Sequence, residues 1–83
     1  MKITKHGHAC LEIEKNDSRL IIDPGFYSEP MTGRENVAAI VITHMHDDHC
    51  YEEQVDRILA DNPNAVIFGT DEVAKRLSPR NLT

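Results

Sequence analysis

Residues 37–49 constrain this chain more than any other stretch. Val37, Ala38, Ala39, Ile40, Val41, Ile42 and Thr43 form a short, β-branched apolar run, followed at once by His44-Met45-His46-Asp47-Asp48-His49. A run of that length and composition predicts a buried strand. Residues from Tyr51 to Ala60 predict a helix, with Tyr51, Val55, Ile58 and Leu59 on one apolar face and Glu52, Glu53, Asp56 and Arg57 towards water. The six-residue cluster therefore falls on a strand-to-helix loop at the carboxyl end of a strand, where open α/β sheets place their ligand sites.

The cluster has the chemistry of a metal site. It holds three of the chain's 5 histidines. Neutral imidazole is the commonest metal ligand, and carboxylate oxygen suits the same divalent ions. His44 and His46 are two apart, so on extended backbone they point to one side and grip one ion. Asp48 and His49, on a turning loop, face a second ion beside it. Against this stands the plainer reading of a polar loop that contains histidines by chance.

The rest of the chain supplies a scaffold. Residues 1–5 predict a strand with Ile3 inward. His6-Gly7-His8 is a break, with Gly7 admitting an unusual backbone angle. Ala9, Leu11 and Ile13 alternate with Cys10, Glu12 and Glu14, a period-two strand. Asn16-Asp17-Ser18 is turn chemistry, and residues 19–23 predict a third strand, apolar on both faces and therefore central. Residues 24–36 predict a loop; Phe26 and Tyr27 either line a groove there or cover the core edge. Asn62-Pro63 ends the first helix, and Ala65-Val66-Ile67-Phe68 predicts a short strand. Thr70 is placed to cap a last helix with Val73, Ala74 and Leu77 inward, stopped by Ser78-Pro79; Lys75 and Arg76 are assigned to its solvated face.

Bulk properties exclude several classes. At 83 residues the chain is one domain at most. A formal charge of −5 with no basic stripe argues against non-specific nucleic-acid binding. There is no apolar run long enough to span a bilayer. The opening residues lack the apolar core of a signal peptide, so a cytoplasmic location is expected and Cys10 and Cys50 are expected to be reduced thiols. Cys10 reads as a small core residue. Cys50, directly after His49, is assigned to packing, with a thiolate ligand as the alternative.

The run His44-x-His46-x-Asp48-His49 resembles the metal-binding signature of the metallo-β-lactamase-fold hydrolases, which follows a hydrophobic strand ending in Thr, as Ile42-Thr43 does here. Leu20-Ile21-Ile22-Asp23-Pro24-Gly25 is similar to that family's preceding strand, which ends in an Asp that braces the metal loop. The opening Met1-Lys2-Ile3-Thr4-Lys5-His6-Gly7-His8-Ala9-Cys10-Leu11 is similar to the subgroup around ascorbate-6-phosphate lactonase. The resemblance covers nearly the whole chain. It implies the first part of an αβ/βα sandwich, ordered β-β-β-loop-β-metal loop-α-β-α over residues 1–83. It implies up to two Zn²⁺ ions, with Mn²⁺ or Fe as alternatives, His44 and His46 on the first ion, and Asp48 and His49 on the second. Asp48 would also orient the attacking water and move its proton, in hydrolysis of an ester, lactone, amide or phosphoester.

Asp23 has two readings, a turn residue before Pro24 or an acceptor for a ligand histidine, and the resemblance favours the second. His8 is assigned a structural role in its turn, with an approach to the site as the alternative; His6 is given no role beyond being polar. The family pattern also implies a later His, a bridging Asp and a final His. No histidine follows His49, and Asp61 and Asp71 fall around helix ends. The chain is thus expected to behave as an N-terminal part, inactive alone, with an exposed sheet face that pairs with a copy of itself or a complementing chain. A non-catalytic metal-binding module is the alternative.

Overall fold

A computed structural model describes residues 1–31, 33, 35–78 and 80 of the chain. Its elements are β1 (Lys2–Lys5), β2 (Leu11–Lys15), β3 (Ser18–Ile22), β4 (Val37–Ile42), α1 (Glu52–Asp61), β5 (Val66–Gly69) and α2 (Asp71–Leu77). The element order is the one expected. The strands form one mixed sheet in the order β1-β2-β3-β4-β5. The first three pair antiparallel, as short connections require, while β4 lies parallel to both β3 and β5. β3, apolar on both faces, is the central strand.

The core forms on one face. Cross-strand register lines up Glu12, Ile21, Ile40 and Ile67 in a single row. All four are buried, and the three isoleucines pack with Val55 and Ile58 of α1 and with Val73 and Leu77 of α2. The same register sends Ile3, Ile13, Leu20, Ala39 and Val66 to the opposite face. That face is open: Ile3 is 60% and Phe68 43% exposed.

The inward assignment of Ile3 on β1 is thereby reversed. Ile3 points to solvent, and Glu12, on the polar side of the period-two strand, is buried. Period-two alternation identifies a strand but does not say which side the helices cover. The buried Glu12 carboxylate is satisfied by His6 Nε2 at 2.8 Å and by Arg19 Nε at 3.2 Å, so His6 has a structural partner.

On α1, Val55 and Ile58 are buried as expected, but the third buried side chain is Gln54, with Leu59 only partly covered and Tyr51 at the N-cap position. Gln54 ties the 24–36 loop down. Its Oε1 accepts from the Met31 N–H at 2.9 Å, and its Nε2 donates to the Glu29 carbonyl at 2.8 Å and to Ser28 Oγ at 2.9 Å. Thr70 caps α2 by accepting from the Val73 N–H. Pro79, expected to stop that helix, lies outside the described residues.

Candidate metal centre

The loop after β4 is held by the segment after β3. Asp23 is buried at the end of β3, with a positive φ of 51° that a short polar side chain tolerates. Its Oδ1 accepts from the Thr43 N–H at 2.7 Å, and its Oδ2 from Thr43 Oγ1 at 2.6 Å and from His49 Nδ1 at 2.9 Å. Pro24 and Phe26 extend the contact: the Phe26 N–H donates to the Asp47 carbonyl at 2.7 Å, and the Tyr51 N–H to the Pro24 carbonyl at 3.2 Å. Between them, Gly25 lies so close that a Cβ would come within 2.0 Å of the Asp48 carbonyl oxygen. The two backbones can approach only because residue 25 has no side chain.

Asp23 also sets proton positions. An ionised carboxylate only accepts, so His49 carries its proton on Nδ1 and presents the lone pair of Nε2. Thr43 gives its hydroxyl proton to Asp23, so it accepts from His44 Nδ1 at 2.8 Å. His44 therefore presents Nε2 as well. One buried carboxylate orients both rings, whose centroids are 4.5 Å apart. Asp23 both follows the end of β3, before Pro24, and accepts a hydrogen bond from His49 Nδ1.

Around His49 the polar groups converge. His49 Nε2 is 3.5 Å from Asp48 Oδ2, and His8 Nε2 is 3.1 Å from the same oxygen. Among the described residues, His8, Asp48 and His49 are the one group of three His, Cys, Asp or Glu side chains whose ligand atoms all lie within 4.8 Å of one another. The hydrogen bond from His8 holds the Asp48 carboxyl below the usual aspartate range. His44 stands beside this group through its ring contact with His49. His46 is exposed, and its contribution to the loop is its backbone carbonyl, which accepts from the N–H groups of His49 and Cys50 at 2.9 and 2.8 Å. The donor set, the Nε2 lone pairs of His44 and His49 beside an ionised Asp48 carboxylate, fits a divalent ion.

Several neighbours differ from expectation. His8, assigned to its turn, reaches the site. Arg76, assigned to solvent, donates to the Met45 carbonyl and to Asp47 Oδ1 at 2.6 Å, clasping the loop from α2. Its place three residues after the buried Val73, beside Leu77, was the available signal. Cys50 is fully buried in the core cluster, burial pushes its thiol up, and it is outside the group of convergent ligand atoms found among the described residues. Phe26 and Tyr27 are exposed and stack on one another; Phe26 also stacks on Tyr51, and Tyr27 lies 5.4 Å from the His8 ring. They flank the site and do not cover the core. No helix among the described residues is long and apolar enough to cross a membrane.

A mixed sheet backed by helices on one face, with a His/Asp loop at the tip of its parallel strand, defines a class of metal-site scaffold. Residues 2–81 match the family model of the beta-lactamase superfamily domain, and the chain belongs to that family. It is 38% identical over 77 residues to Protein Rv0786c of Mycobacterium tuberculosis, covering 93% of this chain and 36% of that protein. It is 38% identical over 82 residues to a UPF0173 metal-dependent hydrolase of Bacillus cereus, covering 94% of this chain and 35% of the relative. A solved structure from Parabacteroides distasonis, described as a candidate metal-dependent hydrolase, superposes with a TM-score of 0.81 at 22% identity, over 98% of this chain and 36% of that one. The chain thus spans about a third of the length of these relatives.

Proposed function

We propose that this chain carries the metal-binding N-terminal part of a metal-dependent hydrolase, with His44, His46, Asp48 and His49 as ligands and Asp23 as their brace. The observation that carries the reading is the Asp23 carboxylate, which accepts directly from His49 Nδ1 and reaches His44 through Thr43. That arrangement leaves both Nε2 atoms free for an ion. A divalent ion bound there would lower the pKa of a water and polarise a carbonyl or phosphoryl oxygen. Asp48, held ionised and partly open to solvent, is placed to accept and pass on the water's proton. Zn²⁺ is the proposed metal, with Mn²⁺ or Fe as alternatives given the carboxylate share. The opening segment supports the ascorbate-6-phosphate-lactonase-like subgroup, and with it a small ester, lactone, amide or phosphoester substrate in the cytoplasm.

The test is metal uptake by the purified chain. After equilibration with Zn²⁺ and desalting, the chain retains metal that a chelator removes, and His49→Ala abolishes retention. Retention that survives His49→Ala, or none in the parent chain, overturns the reading. Hydrolysis by the chain alone is expected to be negligible; ester or phosphodiester turnover that disappears in His46→Ala would overturn that expectation.

The open sheet face supports a second proposal, concerning partners. Ile3, Leu11, Ile13, Leu20, Ile22 and Phe68 share it. A contiguous apolar face of this kind is an interaction surface. We propose that it takes a further polypeptide layer of the kind that the relatives' remaining length provides, or in its absence a second copy of this chain. A strictly monomeric, cooperatively folding species at high concentration, measured by light scattering and thermal melts, would exclude the second copy.

A further inference from the structure

We propose that His8 is a third protein ligand to the ion held by Asp48 and His49, so that this chain alone builds one three-ligand site with its fourth side open. The inference rests on the metal-site reading above and extends it to a residue far from the loop in sequence.

His8 sits on the connection between β1 and β2, and that connection is held by hydrogen bonds on both sides. Gly7 and His8 have successive positive φ values of 92° and 45°. The His6 N–H donates to the Cys10 carbonyl at 2.9 Å, and the Cys10 N–H returns to Gly7 at 3.0 Å. The base of the turn is anchored by the buried His6–Glu12 pair, and from the other side by the Glu29 N–H on the His6 carbonyl at 2.8 Å. A non-glycine residue held at positive φ by its surroundings is worth a functional explanation. Here the turn aims the imidazole across the sheet end at a carboxylate 40 residues away.

The spacing suits ligation. Two ligands on a tetrahedral ion with bonds of about 2.1 Å lie about 3.4 Å apart. The His8 Nε2 and His49 Nε2 atoms are 3.1 and 3.5 Å from Asp48 Oδ2, and all three ligand atoms fall within 4.8 Å of one another. An ion entering between them needs small shifts and the other His8 tautomer, with the proton on Nδ1 and the Nε2 lone pair turned to the ion. The side chains are 43%, 34% and 23% exposed in the order His8, Asp48, His49, so the open side faces solvent. Three protein ligands and one open position is the arrangement of a catalytic zinc.

The alternative role for His8 is that of a positioning residue that only hydrogen-bonds Asp48. Zn²⁺ affinity by chelator competition and the visible spectrum of the Co²⁺ form separate the two. His8→Ala is expected to weaken Zn²⁺ about 100-fold, at least as much as losing a partner behind a ligand costs. His8→Gln, which restores a hydrogen bond to Asp48 but cannot replace the imidazole, is expected to stay weak with an altered Co²⁺ spectrum. In the parent chain loaded with cadmium-113, coupling to His8 Nε2 is expected alongside coupling to His49 Nε2; this needs no variant to fold. Coupling to His49 without coupling to His8, or full affinity in His8→Gln, overturns the proposal and leaves the metal-site reading standing. Affinity unchanged in His49→Ala and Asp48→Ala overturns that reading and this proposal with it.

Discussion

The two ends of the His44–His49 loop are built differently. At the end nearer α1, Asp48 and His49 are partly buried and packed against Gly25, and His49 is bonded directly to Asp23. At the end nearer β4, His44 and His46 are exposed; His44 reaches Asp23 only through Thr43, and His46 lends the loop its carbonyl. The difference teaches that this length of chain pre-organises one half of the cluster more fully than the other. Pre-organised ligands bind more tightly because less ordering is left to do on binding. The Asp48–His49 end is thus the one expected to hold an ion here, and His8, the proposed third ligand, would strengthen that end.

Asp23→Ala should break the contrast most severely. It leaves the Thr43 N–H, the Thr43 hydroxyl and His49 Nδ1 without their shared acceptor. Loss of several hydrogen bonds to one buried charge costs about 3 to 4 kcal/mol. Denaturant unfolding should show that loss, and Zn²⁺ affinity should fall about 10- to 100-fold. His46→Ala, by comparison, should shift stability by less than about 0.5 kcal/mol, as exposed substitutions do. Equal losses in the two variants would erase the distinction between the ends.

Gly25→Ala acts on one end only. Its Cβ would sit 2.0 Å from the Asp48 carbonyl oxygen and 2.8 Å from the His49 nitrogen, so the backbone must move. Overpacking of this kind costs about 2 to 3 kcal/mol. The amide resonances of Asp48 and His49 should shift strongly, while those of His44 stay near their original positions. Uniform shifts along the whole loop would show that it moves as one body.

Arg76→Met tests the clasp from α2. The guanidinium holds the Met45 carbonyl and Asp47, and Asp47 in turn raises its pKa through their hydrogen bond. Methionine keeps most of the packing and removes these bonds. A partly exposed charged pair of this sort contributes about 1 kcal/mol. The loss should be accompanied by faster amide exchange at Met45 and Asp47 than at His49.

The order of elements was legible in the sequence because each has its own period and punctuation. Residues 37–42 are too apolar for a loop and too short for a helix, and Thr70 marks a helix start with Asp71 and Glu72 behind it. Asp23 was legible as an acceptor through the strand-end resemblance. The face of β2 was not. Leu11 and Ile13 look like core, yet the register that buries Ile21 and Ile40 also buries Glu12. Both faces of this sheet are apolar, so hydrophobicity alone does not choose between them. For a related reason His8 was given to its turn first, with the site only as the alternative, and Arg76 was given to solvent. Each meets the loop only through tertiary placement, across 40 and 29 residues for their carboxylate contacts.

The smallest effect sharpens the comparison at the Asp48 end. The Asp48 carboxyl lies below its ordinary value of 3.8, chiefly through the His8 hydrogen bond. A carboxyl whose pKa is depressed on folding stabilises the fold above the unfolded value and loses that contribution as pH falls through the folded one. The metal-free chain should therefore lose stability as pH drops below 3.8, and part of that loss should vanish in His8→Ala. Asp56, depressed in the same sense by the Arg80 hydrogen bond, keeps its share in both proteins and acts as an internal reference. Urea midpoints measured from about pH 5 to about pH 2.5 read the difference. Because both side chains are partly in water, the gap between the two profiles should be small but should open only on the acid side. Parallel profiles down to the lowest pH would mean that His8 and Asp48 do not interact in solution, and the three-atom group would lose its first edge.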